Sequence, residues 1–377
     1  MILRTALLLV LLVCSSVSAQ VPVAKNLGAT LSEDERVAAA LERSLGAFLA
    51  EARNGQFSEA CVEPGQLERY SFFFKGLSGL GQREGDSPPS LLKSYPLDDA
   101  RYSVTVAFAG VRDGAPFISK IVELEASPHG EGYRFGCPFE AKTADFRTKT
   151  LGSVTFHSSG ALDEQAAAEF VRFKEAFSDL TKAQDRHLDY YCFRSLDELL
   201  QSYGFVFDAG KCNFLKCDLG FTDDGGRAYL TGTDNPNYTF EYVGEFLAHS
   251  LPRSEELYGP FVNGMSAYYG GYALSGDDMQ TLRAQFRARL AAEPEIDFLH
   301  EYKQGRSSSV NRHFTHYVIG AFLCEEVVEQ HGFDRALQLL RSGADGERFF
   351  ANIQDILGVD EDGFHALILR LIDAEPA

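Results

Sequence analysis

"YVGEFLAHS", residues 242–250, stands shortly before "YGPFVNGMSAYYGG", residues 258–271. These two stretches decide what the second half of the chain is. They read as consecutive helices over 239–249 and 260–269, in a region that is mainly helical to its end. On a helix, positions four apart share one face. Glu245 and His249 form one such pair and bring a carboxylate and an imidazole; Gly244 and Ala248 form another and bring no donor atom.

Working outward, further helices are expected over 277–292, 309–330, 335–342, 347–357 and 361–372. Upstream, "SVTFHS" reads as a short strand. "DEQAAAEFVRFKEAFSDL" reads as a helix with Phe170, Phe173, Phe177 and Leu180 on its apolar face, and "HLDYYCF" as another strand. "SLDELLQSYG" is a helix with Ser195 and Glu198 at its start and Gly204 at its end.

The first third has its own pattern. "LSEDERVAAALERSLGAFLAEARNG" is a helix with a Ser32/Glu35 capping box, an apolar face of Val37, Leu41, Leu45 and Leu49, and a stop at Gly55. Residues 76–89 are a loop by composition. "RYSVTVAFAGV" then alternates with period two, placing Tyr102, Val104, Val106 and Phe108 on one side. Asp113-Gly114 turns it into "PFISKIVELEA", and "GYRFGCPF" follows. The class expected is α+β, in two domains over 30–140 and 150–374.

Residues 1–19 have the composition of a removable export signal. Arg4 precedes an apolar stretch, Ala6 to Val13, and Val17-Ser18-Ala19 fits cleavage before Gln20. The stretch is far below the roughly 20 residues that span a bilayer. Bulky Val13 argues against lipid attachment at Cys14. A secreted or periplasmic location follows, and in such a compartment the remaining six cysteines point to disulfides before metal. Cys61 and Cys137 bracket the first domain, Cys212 and Cys217 are five apart in a loop-like stretch, and Cys324 lies in apolar "GAFLCEEVV" as a buried thiol. Six cysteines allow fifteen pairings, so connectivity stays open. With 35 Lys and Arg against 54 Asp and Glu, the net charge of −19 repels phosphate backbones and argues against nucleic acid.

Two resemblances add to this. The helix followed by a curved antiparallel meander is similar in architecture to NTF2-like domains. From about Ser153 to Leu371 the chain resembles the gluzincin-like, peptidase MA-like families. The resemblance is carried by "VTFHS", "YYCFRSLDELLQSYG", "NGMSAYYGG" and the tail "HFTHYVIGAFLCEEVVEQHGFDRALQLL" with "FFANIQDILGVDEDGF". It implies a small sheet, a mainly helical second half and a cleft beside the helix at 239–249. In intact members H-E-x-x-H on that helix binds zinc, its Glu is the general base, and a Glu on the next helix is the third ligand. Carried over, the base falls on Glu245, the two histidines on Gly244 and Ala248, and the third ligand on Asn263. Sliding the register by one brings His249 into a histidine slot but puts Phe246 at the base. Neither register assembles three protein ligands, so no metal is expected. Without one, water keeps a pKa near 15.7 rather than roughly 7.

His313 and His316, placed i and i+3 on the expected 309–330 helix, read as packed or surface groups, as do His300 and His331. Asp223-Asp224-Gly225-Gly226 and Asp234-Asn235-Pro236-Asn237 read as turns rather than calcium loops. Ser266 and Tyr268, with Gly244, Ala248, His249 and Asn263, are the expected lining of the former cleft. The leading expectation is an exported, non-catalytic peptidase-like protein that binds a peptide or an envelope partner, without a cofactor. Two alternatives remain: a hydrolase with a rearranged zinc site built on Glu245 and His249, and a structural scaffold of the envelope.

Overall fold

The computed structural model describes residues 23–25, 31–82, 86–183, 185–210, 220–222, 226–250, 256–271, 278–304, 309–310 and 313–374. The export signal, Cys14, Cys212, Cys217 and Asp223 to Gly225 lie outside them. The protein is α+β, with helices and antiparallel strand pairs in two compact units. Met1–Asp145 with Asp197–Lys216 form one, and Phe146–Leu196 with Cys217–Ala377 form the other. No helix among the described residues is long and apolar enough to cross a membrane.

The first unit begins with a short strand β1 (Ala24–Lys25) and a long helix α1 (Glu35–Asn54). Leu41, Leu45 and Leu49 are buried along one side, as the spacing predicts. The cap differs from expectation. Asp34, not Ser32, accepts from the amides of Arg36 and Val37, because a carboxylate two residues nearer the helix reaches the first-turn donors directly. Gly55 ends the helix at φ +67°. Two short helices, α2 (Gln66–Arg69) and α3 (Ser71–Leu77), precede the sheet strands β2 (Ser90–Pro96), β3 (Tyr102–Arg112), β4 (Ala115–His129) and β5 (Gly132–Gly136), and α4 (Phe139–Thr143) follows. Asp113 and Gly114 both have positive φ, as a two-residue hairpin turn requires.

β4 is long enough for its second edge to serve two strands. β5 pairs with its C-terminal end, and residues 205–208, arriving much later in the chain, pair with Lys120 to Val122. This sheet is also buried on both faces. Val104, Val106 and Phe108 are covered as expected, but Ser103, Thr105, Lys120 and Glu123 are covered too. Glu123 accepts hydrogen bonds from Ser103 and Tyr95 and pairs with Lys142, which satisfies its buried charge.

In the second unit, β6 (Arg147–Leu151) and β7 (Val154–Ser158) form a hairpin, α5 (Glu164–Thr181) crosses over, and β8 (Leu188–Cys192) lies parallel to β7. Asp163 caps α5 through the amides of Gln165 and Ala166. Phe170 and Phe177 are buried, whereas Leu180, expected on the same face, is 38 % exposed in the last turn. Helix α6 (Leu196–Ser202) begins where the chain passes from the second unit back to the first, between Leu196 and Asp197, and leads to β9 (Phe205–Asp208), the strand added to β4. The chain then supplies β10 (Gly220–Thr222) and β11 (Ala228–Thr231). The sheet order is β10-β11-β8-β7-β6, parallel in the middle and antiparallel at both ends.

The rest is helical: α7 (Phe240–Ser250), α8 (Gly259–Gly270), α9 (Met279–Ala292), α10 (Phe298–Gln304), then a strand pair β12 (Ser309–Val310) and β13 (His313–Phe314), and α11 (Thr315–His331), α12 (Phe333–Leu340), α13 (Gly346–Leu357) and α14 (Phe364–Asp373). The expected 309–330 helix is therefore shorter. Its first residues pair as strands, and His313 precedes the helix rather than sharing a face with buried His316. α8 and α11 are packed backbone to backbone. A Cβ added to Gly264 would fall 2.5 Å from the Cα of Gly320, so only glycine permits the approach. Cys61, Cys137, Cys192 and Cys324 are free thiols rather than halves of disulfides, and Cys324 is fully buried as expected.

Candidate functional site

One stripe of α7, comprising Tyr242, Glu245, Phe246 and His249, lines a pocket of about 310 Å³. That is the lower end of the range for small-ligand sites. The opposite wall comes from α5 and the segment leading into β8, through Lys174, Lys182, Ala183, Arg186, His187 and Leu188. Thr222 of β10 and Gly226 also line it.

Glu245 is tied to β10. Its Oε2 accepts from the Thr222 amide at 3.2 Å and from the Thr222 hydroxyl at 2.6 Å. His249 Nδ1 lies 2.8 Å from the Glu245 carbonyl oxygen. A carbonyl can only accept, so Nδ1 is the donor in this contact. The ring sits on Gly226, where an added Cβ would come within 2.8 Å of His249 Cγ and where φ is +63°. Glycine at 226 is thus required twice, by backbone conformation and by the imidazole.

Lys174 is a buried cation, 2 % exposed, on the apolar side of α5. Its ammonium donates to Ser153 Oγ at 2.9 Å, to the Arg186 carbonyl at 2.8 Å and to the Asp185 carboxylate. Three donors meet three acceptors, which is what burial of a charge demands.

The residues expected in a former metal cleft separate here. Glu245 and His249 share the pocket. Gly244 faces α8, where an added Cβ would stand 3.2 Å from Val262 Cγ1 and 3.3 Å from Ser266 Oγ. Ala248 is exposed, Asn263 is half-buried on α8, and Ser266 is buried against α7. Tyr268 is half-buried beside Tyr269, its hydroxyl pushed up to about 12 by burial and then by Cys324 and the acidic groups of α11. None of these five lines the pocket. A zinc ion does not fit this arrangement. Gly244 and Ala248 have no donors, α8 crowds the first position, and Glu245 has one oxygen committed to Thr222. Among the described residues no three His, Cys, Asp or Glu side chains converge to hold a metal.

Asn237 donates its amide to Asn235 Oδ1 at 2.9 Å, a local Asx turn within the 234–237 stretch. Lys174, Lys182, Arg186, His187 and Thr222 carry no motif. The single cue is Lys174, a charge set among Phe170, Phe173 and Phe177 on an apolar face.

Comparisons with known proteins add no relative: no family model, no curated protein and no solved structure matches the chain.

Proposed function

We propose that this is an exported, gluzincin-like protein with an NTF2-like first domain, which binds an extended peptide in the α7 pocket and does not hydrolyse it. The observation that carries the reading is the position of β10. It is an end strand of its sheet among the described residues, it contributes Thr222 to the pocket lining, and Thr222 turns its amide away from β11 toward Glu245. In an antiparallel strand a residue's N–H and C=O point to the same side. The Thr222 carbonyl and the backbone groups of Gly220 therefore also face away from β11; with the Thr222 amide already given to Glu245, these are the groups a peptide adding a strand at this edge would pair with. Hydrolysis needs an activated water. The crowding at Gly244 and the attachment of Glu245 to Thr222 argue against a metal or a free base to supply one.

The test is fluorescence anisotropy with labelled unstructured peptides, combined with a casein cleavage assay with and without chelator. Saturable binding without cleavage, unchanged by chelator, is expected. Chelator-sensitive cleavage that is lost in Glu245→Ala would overturn the reading.

A further inference from the structure

We propose that the pocket selects a carboxylate on that peptide, held at its rim by Lys182, Arg186 and His187. The inference rests on the peptide-binding reading above and narrows it to a ligand class.

The charge at the pocket runs against the charge of the chain. Acidic residues outnumber basic ones 54 to 35 overall, yet among the described residues the lining holds Lys174, Lys182 and Arg186 against one carboxylate, Glu245, with two imidazoles, His187 and His249. Two of these charges are already answered. Lys174 spends its donors on Ser153, Asp185 and the Arg186 carbonyl, and Glu245 accepts twice from Thr222. Lys182, Arg186 and His187 remain exposed at the mouth. Lys182 has one acidic neighbour, Asp334, at 4.0 Å, with both side chains at least 80 % exposed, which is a weak contact.

The rim is also held in place from below. Lys174 grips Asp185 and the carbonyl of Arg186 from inside the unit, so the segment that displays Arg186 and His187 is anchored by a buried cation. Lys182 is fixed at the end of α5 in the left-handed conformation, φ +54°. A guanidinium, an ammonium and an imidazole on a braced segment facing an end strand form a receptor for a carboxylate carried by an extended chain. The carboxylate has two sources, an acidic side chain or a peptide C-terminus.

Four labelled peptides of one neutral extended sequence separate the possibilities on the full chain. One is uncharged with an amidated end, one carries a central Glu with an amidated end, one is neutral with a free C-terminal carboxylate, and one carries a central Lys. The Glu peptide, the free-carboxylate peptide or both are expected to bind about tenfold tighter than the uncharged one, and the Lys peptide weakest. Their advantage should shrink as salt is raised, because an exposed charge contact is screened. Lys182→Glu with Arg186→Glu, both exposed positions, should erase the advantage while circular dichroism and the melting temperature stay unchanged. Equal binding of all four peptides, or a preference that survives the double charge reversal, overturns carboxylate selection and leaves peptide binding standing. Binding of none overturns both.

Discussion

Thr222 donates twice to one oxygen of Glu245, joining an end strand to the middle of a helix 23 residues later in the chain. The carboxylate of Glu245 thus fastens strand to helix. Glu245→Ala should therefore loosen β10. Hydrogen exchange at the Thr222 amide should accelerate about tenfold, equivalent to ~1.4 kcal/mol of local protection. An unchanged exchange rate would remove the fastening role.

Histidines introduced at positions 244 and 248 should not create a metal site. Gly244→His with Ala248→His supplies the missing donors, but the first imidazole must enter where even a Cβ stands 3.2 Å from Val262. The double variant is expected to melt at a lower temperature than the parent and to bind no stoichiometric zinc by elemental analysis after dialysis. One tightly held zinc per chain would show that α7 and α8 yield more readily than their contact implies.

The Gly264–Gly320 crossing makes a sharper prediction about stability. Gly264→Ala forces α8 and α11 apart along a contact that includes Phe261, Met265 and Phe322, all fully buried. A loss of about 3 kcal/mol is expected from urea unfolding, the upper part of the range for overpacking. Gly343→Ala serves as the control, since nothing lies near an added Cβ there, although its φ of +79° brings backbone strain of its own.

Burial, with Glu51 alongside, pushes the Cys61 thiol up to about 11. The thiolate is the reactive form, so native Cys61 should alkylate slowly at pH 8 and faster as pH rises toward 11. Glu51→Gln removes the neighbouring charge and should speed labelling at pH 8, read by peptide mass spectrometry. Rapid labelling of the parent at pH 8 would contradict the burial argument.

Glu123 offers a pH test in the first unit. Burial pushes its carboxyl up, but Ser103, Lys142 and Tyr95 together outweigh that and hold it below the ordinary value. A group depressed in the folded state stabilises above its unfolded pKa and loses that contribution as pH falls through its folded pKa. Ser103→Ala should cost about 1–3 kcal/mol at pH 7. The gap between variant and parent should narrow as pH falls below about 4, the unfolded carboxylate range. A gap independent of pH would assign the cost to packing alone.

Much of the frame was legible in the residues. Period-two alternation and the Asp113-Gly114 turn place β3 and β4, and Gly55 stops α1 where a left-handed residue is needed. The helices around 242–250 and 258–271 stand where their sequences put them, and the missing donors at Gly244 and Ala248 could be read before any fold was known. These are local properties: backbone conformation, helical spacing and the atoms a side chain possesses.

What only the tertiary structure decided is which distant residues meet. Lys174 finds Asp185 and Arg186 across a turn, Thr222 finds Glu245, and Gly264 finds Gly320, while residues 205–208 return to a sheet begun a hundred residues earlier. No periodicity encodes such meetings. They follow from how helices and strands stack to bury their apolar faces, and the pocket is a by-product of that stacking.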